Sequence, residues 1–131
     1  MSQVHPNVEV FRRTYDAFTS GDMAKLAEFF AEDVVWHTPG DNLVAGDFHG
    51  REATFAAFGR EFELSNGTYQ PAIRDVLAND NHTVALMHVT AERDDKKLDM
   101  DYVLVFDLRD GQIVEGRGLW TDQAAYDEFW S

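Results

Sequence analysis

The chain contains no cysteine. That excludes a disulfide framework, thiol nucleophiles and thiolate metal sites. It is also short of cations: 11 Lys and Arg stand against 24 Asp and Glu, a formal charge of −13. A surface of that sign repels phosphate backbones and anionic lipid headgroups, so neither nucleic acid nor a membrane is an expected partner. No apolar run approaches the roughly 20 residues of a membrane span, and the opening MSQVHPNVEV has no apolar signal segment. A cytoplasmic location is the expectation. The five histidines show no paired spacing, so no metal site is expected. No cofactor is expected either.

Aromatic bulk is abundant: ten Phe, four Tyr and three Trp in 131 residues. A chain of this length reads as one domain, residues 1–131, and buries about two-thirds of its unfolded surface. The aromatic set exceeds what a minimal core needs. It points to an aromatic-lined interior or a buried subunit interface.

Helical periodicity dominates the first half. Asn7 is the expected N-cap of a first helix, in which Val8, Phe11, Tyr15 and Phe18 fall on one face, and Ser20-Gly21 ends it. Asp22 caps a second helix carrying Met23, Leu26, Phe29 and Phe30. A short strand over about 33–38 stops at Pro39-Gly40. A loop with a short edge strand around Leu43-Val44-Ala45 follows, and then a third helix over 51–64 with Phe55, Phe58 and Phe62. From there the period changes to two. Segments near 68–78, 82–93, 97–108 and 112–120, separated by short polar turns, read as an antiparallel meander before a final short helix, AAYDEFW. Helices gathered ahead of a meander indicate an α+β layer.

Two registers are open for the hairpin at LRDGQI. A two-residue turn at Asp110-Gly111 puts Asp101, Val103 and Val105 on the face of Gly116, Gly118 and Trp120. A three-residue turn with Gly111 in a G1 bulge puts Tyr102, Leu104 and Phe106 there instead, together with Val114. The second is preferred, because it sets large apolar residues opposite glycines and leaves a hollow. It assigns Val103, Val105, Ile113 and Leu119 to the other face. That apolar set is unfavourable in water and argues for a homodimer through the outer sheet face.

The stretches TYDAFTSGDMAKLAEFFAEDVVWHTPG, GDFHGREATFAAF and YVLVFDLRDGQIVEGRGLWTD, spread over nearly the whole chain, carry a resemblance. The chain resembles the SnoaL-like branch of the nuclear transport factor 2-like superfamily, which also holds ketosteroid isomerases and limonene epoxide hydrolases. The resemblance implies a cone-shaped α+β barrel: a curved antiparallel sheet covered by three N-terminal helices, a short C-terminal helix, and a deep apolar pocket. It also implies dimers formed through the outer sheet face. In this alignment Thr38 stands where the isomerase keeps its proton-shuttling aspartate. The oxyanion-hole tyrosine falls near Thr14 and Tyr15, and its assisting aspartate near Tyr102. Trp120 matches an aromatic pocket wall, and Asp122 matches the acid–base aspartate of polyketide cyclases.

The candidate catalytic residues are therefore His37, Asp122 and Tyr102. An imidazole titrates near neutrality and suits proton transfer. In a regular strand, however, His37 points away from Trp36 and Thr38, and only a twist into Pro39 turns it inward. Asp122 reads either as an N-cap or as a carboxylate at the mouth of an apolar pocket, where burial raises its pKa. Tyr102 can donate its phenolic hydrogen to a carbonyl or to a backbone partner. Tyr15, Phe18, Trp36, Thr38, Phe55, Phe58, Phe62, Met87, Leu104 and Trp120 are the expected pocket lining. The expected ligand is a hydrophobic or carbonyl-bearing small molecule, handled by cofactor-free acid–base chemistry: isomerisation, cyclisation or hydrolysis. The alternative is a non-catalytic ligand-binding or dimerisation module. The lack of a carboxylate at position 38 favours it.

Overall fold

The computed structural model describes residues 4–131. The elements run α1 Pro6–Ser20, α2 Met23–Ala27, β1 Phe30–Thr38, β2 Gly46–His49, α3 Arg51–Leu64, β3 Gln70–Ala78, β4 His82–Arg93, β5 Lys96–Arg109, β6 Gln112–Trp120 and α4 Gln123–Phe129. The N-cap of α1 is His5 rather than Asn7. Its ring Nδ1 accepts from the Asn7 N–H at 3.1 Å, and Pro6 supplies a preset φ in the first turn. Gly21, at φ 73°, ends that helix. Asp22 caps α2 by accepting from the Lys25 N–H at 3.0 Å. The edge strand after Pro39 begins only at Gly46, past the expected Leu43–Ala45.

The six strands form one curved sheet in the order β2-β1-β6-β5-β4-β3. The sheet is mixed, not wholly antiparallel, because β1 and β6 lie parallel at its centre. Parallel neighbours need a long crossover, and the chain between β1 and β6 supplies one by passing through α3 and four strands. The sheet stays open, with β2 and β3 as its edges, so the fold is a cone-like α+β layer. Helix α1 packs on β3 and β4, α3 on β1 and β2, and α4 on β5 and β6.

The β5–β6 hairpin reaches the preferred register by a different device. Arg109 pairs with Gln112, so the turn is the two-residue Asp110-Gly111, both at positive φ (52° and 78°). The shift comes two pairs later. Leu108 faces Ile113 and Asp107 faces Glu115, which leaves Val114 as a bulge residue. Beyond the bulge Tyr102 lies opposite Trp120, Leu104 opposite Gly118 and Phe106 opposite Gly116. Ile113, expected on the outer face, is buried in the core, because it precedes the bulge.

The two β6 glycines serve different neighbours. A Cβ at Gly116 would overlap the Trp36 ring, which occupies the space the missing side chain leaves. That ring meets Phe58 edge-on at 4.9 Å and Phe106 at 5.6 Å. At Gly118 the missing side chain leaves a hollow edged by the Trp120 ring, 3.1 Å from where a Cβ would lie.

Candidate functional site

That hollow is one wall of a cavity between the concave sheet face and helices α1 and α3. Its free volume is about 80 Å³. That is room for several waters or a single-ring molecule. Thr14, Tyr15 and Phe18 reach it from α1, Trp36 and Thr38 from β1, and Phe58 and Glu61 from α3. Met87, Tyr102, Leu104 and Trp120 form the sheet side. Alternation explains why β1 gives Trp36 and Thr38: both are buried, while the residues flanking them turn the other way.

Eight of the ten residues expected to line the cavity do so. Tyr15, Phe18, Trp36, Thr38, Phe58, Met87, Leu104 and Trp120 line it. Phe55 and Phe62 do not. They sit one position off the inward stripe of α3, with Phe55 edge-on to Phe30 at 5.3 Å and Phe62 against Phe18 at 5.3 Å. Of the three residues expected to do chemistry, only Tyr102 reaches the cavity.

His37 lies on the outer face of β1. Its Nδ1 is 2.6 Å from Asp47 on β2 and its Nε2 is 2.6 Å from Glu115 on β6. The two carboxylates hold its pKa above the usual imidazole value. Pro39 does not twist it inward, since the strand stays regular through Thr38. Asp122 is the N-cap of α4, its carboxylate accepting from the Ala125 N–H at 3.0 Å. It does not line the cavity. The Tyr15 hydroxyl donates to the Pro71 carbonyl at 2.7 Å and is thereby committed to the backbone.

The residue that sequence reasoning missed is Glu61. It is buried, on the cavity wall, among aromatic rings. Burial pushes its pKa up to about 8, and the neighbouring Tyr69 hydroxyl offsets only part of that. The Tyr69 and Tyr102 hydroxyls hydrogen-bond each other beside Glu61, both with phenol pKa values raised chiefly by burial. Trp120 stacks between Tyr102 (4.4 Å) and Tyr126 (3.8 Å), and its indole N–H is buried without a partner. The signal for Glu61 was present. Thr54, Phe58, Glu61 and Ser65 recur at four, three and four residues, the stripe that α3 buries. A carboxyl on that stripe marks a polar point in an apolar wall.

The comparisons bear on what this cavity belongs to. The model of the SnoaL-like domain matches residues 11–116. The chain belongs to the SnoaL-like family. It has the nuclear transport factor 2-like fold. The structure of Bal32a, from a soil-derived mobile gene cassette, is 44% identical and superposes with a TM-score of 0.91, covering 95% of this chain and 96% of that one. Rv0034 of Mycobacterium tuberculosis, an uncharacterized protein, is 32% identical over 126 residues, 95% of this chain and 96% of its own. TerC, co-crystallized with polyporic acid, is 18% identical and shares the fold at a TM-score of 0.81, over 95% of this chain and 98% of its own.

In this SnoaL-like chain the cavity has one ionisable carboxyl, hydroxyl donors beside it, and no Lys, Arg or His in its lining. Such a set can donate hydrogen bonds to an oxygen acceptor and can move one proton. Among the described residues, no group of three or more His, Asp or Glu side chains is placed to hold a metal ion.

Proposed function

We propose that this protein binds a hydrophobic small molecule in the cavity between α1, α3 and the sheet. The single observation that carries this is the lining: aromatic and aliphatic walls converge on a few polar groups at one end, the pattern of small-molecule sites. That TerC was crystallized with polyporic acid supports the same use of the fold. Exposed Leu86 and Leu119, with Val103 and Val105 beside them, support a homodimer through the outer face.

A second reading, cofactor-free acid–base catalysis, is favoured by Glu61. A carboxyl that titrates near neutrality is what such chemistry needs. In that reading Glu61 carries the proton and Tyr102 hydrogen-bonds the substrate oxygen. His37 and Asp122 have no part in it, because neither reaches the cavity.

The test of binding uses acetophenone as a single-ring probe. Trp36 and Trp120 line the cavity, so their fluorescence reports occupancy. Saturable quenching is expected in the natural protein, and its loss in a Leu104→Trp variant that fills the space while keeping its circular dichroism. Equal quenching in both proteins would place the probe elsewhere and refute the reading.

A further inference from the structure

Glu61 is the only ionisable carboxyl or amine among the residues that line the cavity. The groups facing it are neutral: Tyr69 ahead of β3, Tyr102 on β5, Tyr126 on α4, and Thr14 and Tyr15 on α1. A ligand carboxylate would therefore enter an apolar site with no cation to pair with, at a large desolvation cost. An ammonium would find aromatic faces that favour it. It would also bring three N–H donors to a single carboxyl flanked by phenols that are themselves donors. A neutral molecule with one oxygen acceptor avoids both penalties. The Tyr69 hydroxyl already hydrogen-bonds Glu61 and Tyr102, and a ligand oxygen would join that cluster as an acceptor for a protonated Glu61 or the Tyr102 phenol.

We infer that Glu61 is the specificity-determining residue of this cavity: while its carboxyl carries a proton it admits neutral ring ketones and related oxygen acceptors, and it excludes carboxylates. The inference rests on the binding reading above and names its ligand class. Its consequence is a proton linked to affinity. When the carboxyl ionises it ceases to donate and repels the ligand oxygen, so the ketone leaves as pH rises. The pKa near 8 supplied by burial puts that change in an accessible range.

The experiment titrates acetophenone, benzoate and benzylammonium into the full chain at pH 7, 8 and 9, followed by tryptophan fluorescence and by chemical-shift changes. Acetophenone is expected to bind best at pH 7 and about tenfold more weakly at pH 9, the ratio that a group titrating at about 8 imposes. Benzoate is expected to bind at least tenfold more weakly than acetophenone at pH 7. Glu61→Gln keeps an N–H donor, so it should retain acetophenone within about threefold and lose the pH dependence. His37 and His88 also titrate above the ordinary imidazole value, but both remain in that variant, so the difference isolates Glu61. If Glu61→Gln does not fold, the pH series on the natural protein and on Tyr102→Phe still decides, since Tyr102→Phe should keep the pH dependence. Acetophenone affinity that is level from pH 7 to 9 overturns the inference but leaves the binding reading standing. So does benzylammonium binding that strengthens with pH and exceeds that of the ketone. No binding by any of the three probes overturns both.

Discussion

In the cavity beneath the inner face of the sheet, Glu61 of α3 holds its proton because burial makes the charged form costly. On the outer face the His37 pKa is raised because Asp47 and Glu115 reward the charged form. His88 repeats the outer arrangement between Asp99 and Asp101, at 2.6 and 2.7 Å. The shifts go the same way for opposite reasons. Inside, the group is kept neutral and can serve a ligand. Outside, the charged form is favoured by carboxylates on neighbouring strands, and the contact ties those strands together. The lesson is that a raised pKa does not identify a site until its cause is known.

Both faces should lose stability as pH rises, and the two losses can be separated. The Glu61 carboxyl has a folded pKa above its unfolded value. Its contribution is therefore intact below about 4.5, the unfolded value, and is lost as pH rises from there to about 8. The natural protein should lose about 4 kcal/mol more than Glu61→Gln between pH 5 and 9, by urea unfolding at each pH. Equal slopes in the two proteins would remove the inner half of the comparison. A smaller effect is expected at the wall itself. Gly116→Ala drives a methyl into the Trp36 ring and should cost about 1–3 kcal/mol at any pH. Gly118→Ala, whose Cβ would lie 3.1 Å from the Trp120 ring rather than overlapping it, should cost less. The smallest effect belongs to the outer face. The folded His37 pKa lies above the unfolded value, so its contribution is full below 6.5 and fades as pH rises through the folded value. Asp47 is well exposed, so Asp47→Asn should cost under about 1 kcal/mol at pH 6. It should lower the His37 midpoint by NMR and leave acetophenone binding unchanged.

Much of the fold was legible because local signals agreed with the tertiary outcome. Helix 51–64 has its bounds set by Gly50 and Ser65-Asn66-Gly67, and the meander by polar turns between alternating segments. The buried side of β5 and β6 followed from setting large side chains opposite glycines. What was not legible depended on partners distant in sequence. The parallel β1–β6 pairing, and with it the Glu115 and Asp47 carboxylates beside His37, comes from chain segments that no local pattern links. The hairpin turn and the Val114 bulge compensate each other, so the face was right while the device was not. At the site, aromatic spacing drew attention to Phe55 and Phe62, whereas α3 is rotated so that Thr54, Phe58 and Glu61 face inward. Two of the three expected catalytic residues carried plausible chemistry on the wrong side of the backbone: His37 by strand alternation, and Asp122 by its commitment to a helix cap.

The central claim is that the cavity beneath the inner face holds a neutral carboxyl at neutral pH. It is tested most directly by a carbon-13 NMR titration of the side-chain carboxyl of Glu61, assigned by comparison with Glu61→Gln. A midpoint near 8 is predicted. A midpoint near 4.5, the value of a free glutamate side chain, would contradict it.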